Sequence, residues 1–160
     1  MVRIGPEQVG QWFDAYGQAM VLYARQWLDG SAAEDVVQEV LLSLFGRYRP
    51  PGDVKGWLFR SVRNRALNHL RSARRRQAHE ETPAAARLPW FDPAEADRID
   101  ARAVEAALCA LPPGEREIVV LRIWGGLTFK EIGETVGEPV STVHDRYQAA
   151  LAALRRSMRP

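Results

Sequence analysis

The chain has 160 residues, of which 46% are hydrophobic and 26% charged, with 22 Lys and Arg set against 20 Asp and Glu. This composition excludes a disordered or fibrous chain, and the length admits one ordinary domain or two small ones. No apolar run approaches the roughly 20 residues of a membrane span, and Met1-Val2-Arg3-Ile4-Gly5-Pro6 lacks the apolar core of a signal peptide, so a cytoplasmic location without membrane insertion is expected.

Apolar residues recur at helical spacing nearly everywhere, and β-branched runs with period-two alternation are nearly absent. The expected fold is all-α, with two small helical domains joined by a linker. The first domain spans 1–76. Its opening helix is expected from Pro6 to Leu28, with Val9, Trp12, Phe13, Tyr16, Met20 and Tyr23 at steps of three or four. Asp29-Gly30-Ser31 is a turn. A second helix, from about Ser31 to Phe45, carries the apolar stripe Val36, Val37, Val40, Leu41, Leu44 and Phe45. Opposite the stripe lie Glu34, Asp35, Gln38 and Glu39. Such a face is either simply solvated or a docking surface for a basic partner. Pro50-Pro51-Gly52 cannot continue a helix and marks a loop.

A third helix is expected from Val54 to Arg75, with Leu58, Val62, Ala66 and Leu70 on one face. Between Lys55 and Arg76 there is no acidic residue, and the bases Lys55, Arg60, Arg63, Arg65, Arg71, Arg74, Arg75 and Arg76 have Asn64, Asn68 and His69 among them. Solvated charged faces usually mix signs. An arginine-rich helix with interspersed amides suits nucleic-acid backbone and base edges. Trp57 and Phe59 precede this run. Aromatics can stack on unpaired bases, but at helical spacing Trp57 reads as core packing. Residues 77–98 are expected to form an acidic linker, broken by Pro83, Pro89 and Pro93.

The second domain spans 99–160. Ile99 to Leu111 reads as a helix stopped by Pro112-Pro113-Gly114, and Glu115 to Trp124 as another stopped by Gly125-Gly126. The single cysteine, Cys109, lies in an Ala/Leu-rich stretch and is expected to be buried. Thr128-Phe129-Lys130-Glu131 is a capping box that starts a two-turn helix. Gly137 ends it, and Pro139 suits the first turn of the next helix, which runs to Leu154. Two short helices joined by a tight turn form a helix-turn-helix, in which the start of the second helix enters the major groove. The candidate DNA contacts are Ser141, Thr142, His144, Asp145, Arg146 and Gln148. From Gly114 onward acids and bases nearly cancel. Phosphate neutralisation drives most non-specific DNA affinity, so this domain alone is expected to bind DNA weakly, as befits a module delivered by something larger.

No paired carboxylates in a pocket context, nucleophile elbow, phosphate-binding glycine loop or metal cluster is present in the sequence, so no catalytic residue is expected. His69, His79 and His144 are far apart and lack Cys or His partners at ligand spacing, so neither metal nor other cofactor is expected.

Four stretches, in order, resemble the extracytoplasmic-function (ECF) class of the sigma-70 family. They are Ala33-Glu34-Asp35-Val36-Val37-Gln38-Glu39-Val40, then Gly56-Trp57-Leu58-Phe59-Arg60-Ser61-Val62-Arg63-Asn64 with the basic helix after it, then Leu111-Pro112-Pro113-Gly114-Glu115-Arg116-Glu117, and finally Gly126-Leu127-Thr128-Phe129-Lys130-Glu131-Ile132 through Arg155. The resemblance covers about Val9 to Met158. It implies a non-enzymatic protein that binds bacterial core RNA polymerase, through the β′ clamp and the β subunit, and directs it to promoter DNA. By that resemblance Asp35, Gln38 and Glu39 face the clamp. Arg60, Arg63, Asn64, Asn68, Arg71, Arg74 and Arg75 serve the minus-ten element, and the loop Arg47 to Asp53 sits where the family captures a flipped base. Ser141, Thr142, His144, Asp145, Arg146 and Gln148 meet the minus-thirty-five element. The family also implies an anti-sigma partner, and no small-molecule substrate.

Some positions depart from the family pattern. The Pro50-Pro51-Gly52 loop is shorter than in many members, His144-Asp145 stands where a basic residue followed by a small one is usual, and Ala149 replaces a frequent arginine. An aspartate there repels phosphate but can accept from cytosine, so a weaker or unusual minus-thirty-five contact is expected. The chain stops just after the last helix, so no fused sensor domain is expected. The rival readings are a stand-alone helix-turn-helix regulator binding operator DNA without polymerase, a nucleic-acid-processing enzyme, and a sigma-like adaptor without promoter activity.

Overall fold

In a computed structural model, residues 3–80 and 98–158 are described, with side chains described for 3–77 and 102–158. Among them every regular element is a helix. The chain divides into two compact units, 1–88 and 89–160, and most of the expected linker lies outside the described residues.

The first unit holds α1 (Pro6–Ala24), α2 (Gly30–Leu44) and α3 (Val54–Glu80). Pro6 opens α1 at a position where its missing N–H costs nothing. The helix ends four residues before the expected Leu28. Gln26 and Trp27 donate to carbonyls only three residues back, and this tightened turn leads to Asp29. The Asp29 carboxylate then caps α2, accepting from the Ala32 N–H at 2.8 Å. Met20 and Tyr23 of α1, Val36, Val37, Val40 and Leu44 of α2, and Leu58, Phe59 and Val62 of α3 are buried together, and the Tyr23 and Phe59 rings pack at 5.8 Å.

Two apolar residues depart from the expected stripes. Phe13 is 51% exposed, its ring lying along Gly17 one turn on, where the missing side chain leaves a groove. Phe45 is 54% exposed because α2 ends at Leu44 and the chain turns extended at Phe45, swinging that side chain off the stripe. The loop that follows is clamped by the N-terminal segment. The buried Ile4 donates its N–H to the Arg47 carbonyl at 2.7 Å and accepts from the Gly46 N–H at 2.9 Å, with Gly46 at φ +83°. Arg3 donates to the Tyr48 hydroxyl at 2.7 Å. The Asp53 carboxylate caps α3 through the Gly56 N–H at 3.1 Å. That helix continues to Glu80, five residues beyond the expected end, because Gln77-Ala78-His79-Glu80 contains no breaker and the first proline downstream is Pro83.

The second unit holds α4 (Arg98–Cys109), α5 (Pro113–Ile123), α6 (Phe129–Val136) and α7 (Val140–Ser157). Cys109 is exposed, contrary to expectation. Ala107, Leu108 and Leu111 take the inward positions at that end of α4, and each residue turns the helix by about 100°. The capping box is complete. The Thr128 hydroxyl accepts from the Glu131 N–H at 3.1 Å, and the Glu131 carboxylate accepts from the Thr128 N–H at 2.9 Å. Gly137, at φ +75°, ends α6. Its N–H and that of Glu138 both donate to the Gly133 carbonyl, at 2.9 and 3.0 Å. Pro139 is the N-cap of α7 rather than its first helical residue. Val143 and Ala150 point α7 into the core.

Candidate nucleic-acid and polymerase interfaces

The first surface is the outer face of α2. Asp35 and Gln38 are exposed, set apart from the buried Val36, Val37 and Val40. Glu39 is only half exposed and reaches α3. Its Oε2 lies 3.3 Å from Arg65 Nη1 and 3.7 Å from His69 Nε2. Nothing on α2 itself signals this contact. It requires knowing that Arg65 and His69, four apart on α3, flank the α2 interface. Steps of four and three from Gln38 reach Leu42, 67% exposed, and then Phe45, so the acidic face runs into an apolar edge. Leu42 was legible as an apolar residue lying off the buried stripe.

The second surface is α3. Arg60, Arg63, Asn64, Asn68, Arg71, Arg74 and Arg75 recur at steps of three and four, which places all seven on one face. Leu58, Phe59, Val62 and Ala66 occupy the opposite, buried face. Asn64, Asn68, Arg71, Arg74 and Arg75 are exposed, whereas Arg60 and Arg63 are half-buried. Arg71 donates to the Asn68 amide oxygen at 3.4 Å. Beside the start of α3, the Arg47 guanidinium covers the half-buried Trp57 ring at 5.1 Å. The 46–48 loop and α3 are thereby joined.

The third surface is the helix-turn-helix. Ser141, His144, Asp145 and Gln148 are exposed and fall on one side of α7, opposite Val143 and Ala150. Thr142 and Arg146 lie on the flank of that face. Thr142 is half-buried, and Arg146 Nη1 pairs with Glu138 Oε1 at 3.3 Å. The first α7 bond runs from the Val143 N–H to the Pro139 carbonyl. The preceding N–H groups therefore emerge at the helix start, where a phosphate is favoured. His144 Nδ1 stands 3.6 Å from Asp145 Oδ1. Sequence reasoning missed two residues behind this face, Arg122 and Phe129, which pack with the Tyr147 ring. Their contacts are tertiary, and no local spacing announces them.

Among the described residues no group of three or more His, Cys, Asp or Glu side chains could hold a metal ion, and no helix is long and apolar enough to cross a membrane.

Against known proteins, residues 12–76 match the sigma-70 region 2 family model and residues 107–156 match sigma-70 region 4. The chain belongs to the sigma-70 family. It is 35% identical over 129 residues to the ECF RNA polymerase sigma factor SigE of Mycolicibacterium smegmatis, a match covering 77% of this chain and 50% of that longer one. It is 29% identical over 152 residues to the ECF sigma factor SigL of Mycobacterium tuberculosis, covering 91% of this chain and 86% of SigL. In fold it is similar to the sigma factor RpoE of Bartonella quintana, solved in complex with the anti-sigma factor NepR, with a TM-score of 0.73 and 21% identity over 93% of this chain and 95% of that one. The region 2 match spans the α2 and α3 surfaces, and the region 4 match spans the helix-turn-helix.

Proposed function

We propose that this chain is an alternative sigma factor of the ECF type, which binds bacterial core RNA polymerase in the cytoplasm and directs promoter recognition, DNA melting and initiation. It acts without catalysis of its own. Residues 1–76 serve as the region 2 domain, 77–98 as an acidic connector and 99–160 as the region 4 domain. Asp35, Gln38 and Glu39 dock on the β′ clamp, with the β subunit completing the polymerase contact. The α3 face from Arg60 to Arg75 holds and opens the minus-ten element, with capture of unpaired bases at the Arg47 to Asp53 loop. The outer face of α7 meets the minus-thirty-five duplex. An anti-sigma protein is a further proposed partner.

The observation that carries the reading is the α3 face. It gathers seven polar and basic side chains on one side of a helix that bears no carboxylate between Lys55 and Arg76, in the same unit as the acidic α2 face. A stand-alone operator-binding regulator has no use for either surface, and the near neutrality of the helix-turn-helix unit disfavours tight DNA binding on its own.

Charge reversal at the exposed Asp35 tests the docking assignment. Asp35→Lys is expected to weaken binding of the full chain to purified core polymerase about tenfold or more, since like-charge juxtaposition at an interface costs on the order of a few kcal/mol. Thermal unfolding should stay unchanged, because the side chain is exposed. Wild-type chain that ignores polymerase but binds DNA tightly and salt-sensitively by itself would instead establish the stand-alone regulator.

A further inference from the structure

Phe129 opens α6 next to the Thr128 cap and is half-buried. The Arg122 guanidinium lies over its ring, 4.4 Å from the centroid. That guanidinium is itself anchored, because Arg122 Nη1 donates to the Leu127 carbonyl at 2.9 Å. The Phe129 ring also meets two residues of α7. It contacts the His144 imidazole at 5.4 Å and 83°, edge to face, and the Tyr147 ring at 5.4 Å and 60°. A single aromatic ring thus ties α5, α6 and the DNA-facing start of α7 together.

We propose that Phe129 is a positioning residue that fixes the His144 imidazole for base reading, with Arg122 holding the ring in place. The inference rests on the sigma-factor reading and deepens it. His144 projects from the outer face of α7 beside Ser141, Asp145 and Gln148, with its side chain 52% exposed. An exposed side chain with free torsions must lose rotamer freedom when it meets a base, and that loss weakens the contact. Here the torsions are already restricted. The Phe129 ring packs edge to face against the imidazole and sets its plane, and Asp145 Oδ1, 3.6 Å from Nδ1, stands beyond hydrogen-bond reach, so a nitrogen of a fixed ring is offered to a base edge. One fixed nitrogen matches one donor or acceptor position in the major groove, and a well-placed base contact discriminates by a factor of about ten or more. Side chains locked by a supporting layer are the ones that hold such geometry. Sequence preference at one minus-thirty-five position therefore depends on a residue that need not touch DNA.

The test uses core polymerase with the full-length chain on templates randomised across the minus-thirty-five element, reading base frequencies among the transcripts. His144→Ala is expected to abolish preference at one position. Phe129→Leu, which keeps apolar volume in the wedge but removes the flat face, is expected to flatten that same position by about tenfold. The other positions and the minus-ten preference should stay as in the wild type, and Phe129→Tyr should restore the lost preference. Thermal unfolding of each variant is followed alongside. If Phe129→Leu unfolds, Arg122→Gln loosens the ring from its far side, and a weaker flattening at the same position is expected. The proposal is overturned if Phe129→Leu folds and keeps the preference that His144→Ala loses, or if it weakens every minus-thirty-five position alike, as a purely structural residue would. It is also overturned if His144→Ala changes no position while wild-type transcription persists, a result that leaves the sigma-factor reading standing. Absence of any wild-type transcription removes both.

Discussion

Replacing Arg71, Arg74 and Arg75 together by alanine is expected to lower the affinity of the polymerase-bound chain for promoter DNA by about two to three orders of magnitude near physiological salt. It should also reduce the slope of log affinity against log salt by about two to three. The three side chains lie exposed on one face at the outer end of α3, on a helix with no acidic residue between Lys55 and Arg76 to offset them. Each phosphate neutralised by Lys or Arg releases condensed counterions and contributes about 0.9 to the slope on duplex DNA, or about 0.7 on single strands. Three contacts therefore account for the change, whichever form the minus-ten region takes. Exposed surface substitutions usually alter stability within about 0.5 kcal/mol, so folding is expected to survive intact. Binding of the assembled holoenzyme to promoter DNA at a series of salt concentrations measures the slope. An unchanged slope would remove α3 from the DNA, even if affinity fell for another reason.

Gly133→Val is expected to destabilise the second unit by about 3 kcal/mol and to abolish minus-thirty-five recognition while leaving polymerase binding in place. A Cβ at Gly133 would stand 2.7 Å from the Glu138 carbonyl oxygen, which is backbone in the turn and cannot swing aside as a side chain would. The Gly133 carbonyl also accepts the two N–H groups that close that turn. Two effects oppose each other here. Removing glycine from a helix interior gains up to about 1 kcal/mol, whereas overpacking a tight contact costs about 1–3 kcal/mol and leaving turn bonds unmade adds to that. For valine, which gains less in a helix than alanine and brings two further methyl groups, the cost wins. Any relief of the clash must come from moving Glu138 and the start of α7, which carries Ser141 and His144. Chemical denaturation of the full chain, with transcription from a template that requires the minus-thirty-five element, reads both consequences. A variant as stable as the wild type would mean that the turn approaches α6 less closely than described.

Features of the fold set by neighbouring residues were legible in the sequence. The helix-turn-helix announces itself through Thr128 and Glu131 three apart, Gly137 at the stop and Pro139 beyond it, and each of these acts within one turn of chain. The shared face of α3 follows from steps of three and four alone. Features that depend on where an element ends, or on what packs beside it, were not legible. Phe45 leaves the stripe because α2 stops one residue earlier. Cys109 is exposed because its inward neighbours Ala107 and Leu108 precede it on α4. Glu39 meets Arg65 and His69 across 26 and 30 residues of chain, and the Arg122, Phe129, His144 and Tyr147 cluster joins three helices. Most candidate interface residues were readable as exposed faces, but Glu39, Arg60, Arg63 and Thr142 are half-buried. The pairing of Arg146 with Glu138 on the flank of the α7 face, by contrast, exists only in the folded turn.

The most direct measurement is transcription by purified core RNA polymerase from a randomised promoter library, with and without this chain. Transcripts that appear only with the chain, from templates sharing two motifs at fixed spacing, are the predicted result. No chain-dependent transcript, from a chain that binds DNA by itself and leaves polymerase unoccupied, would contradict the account.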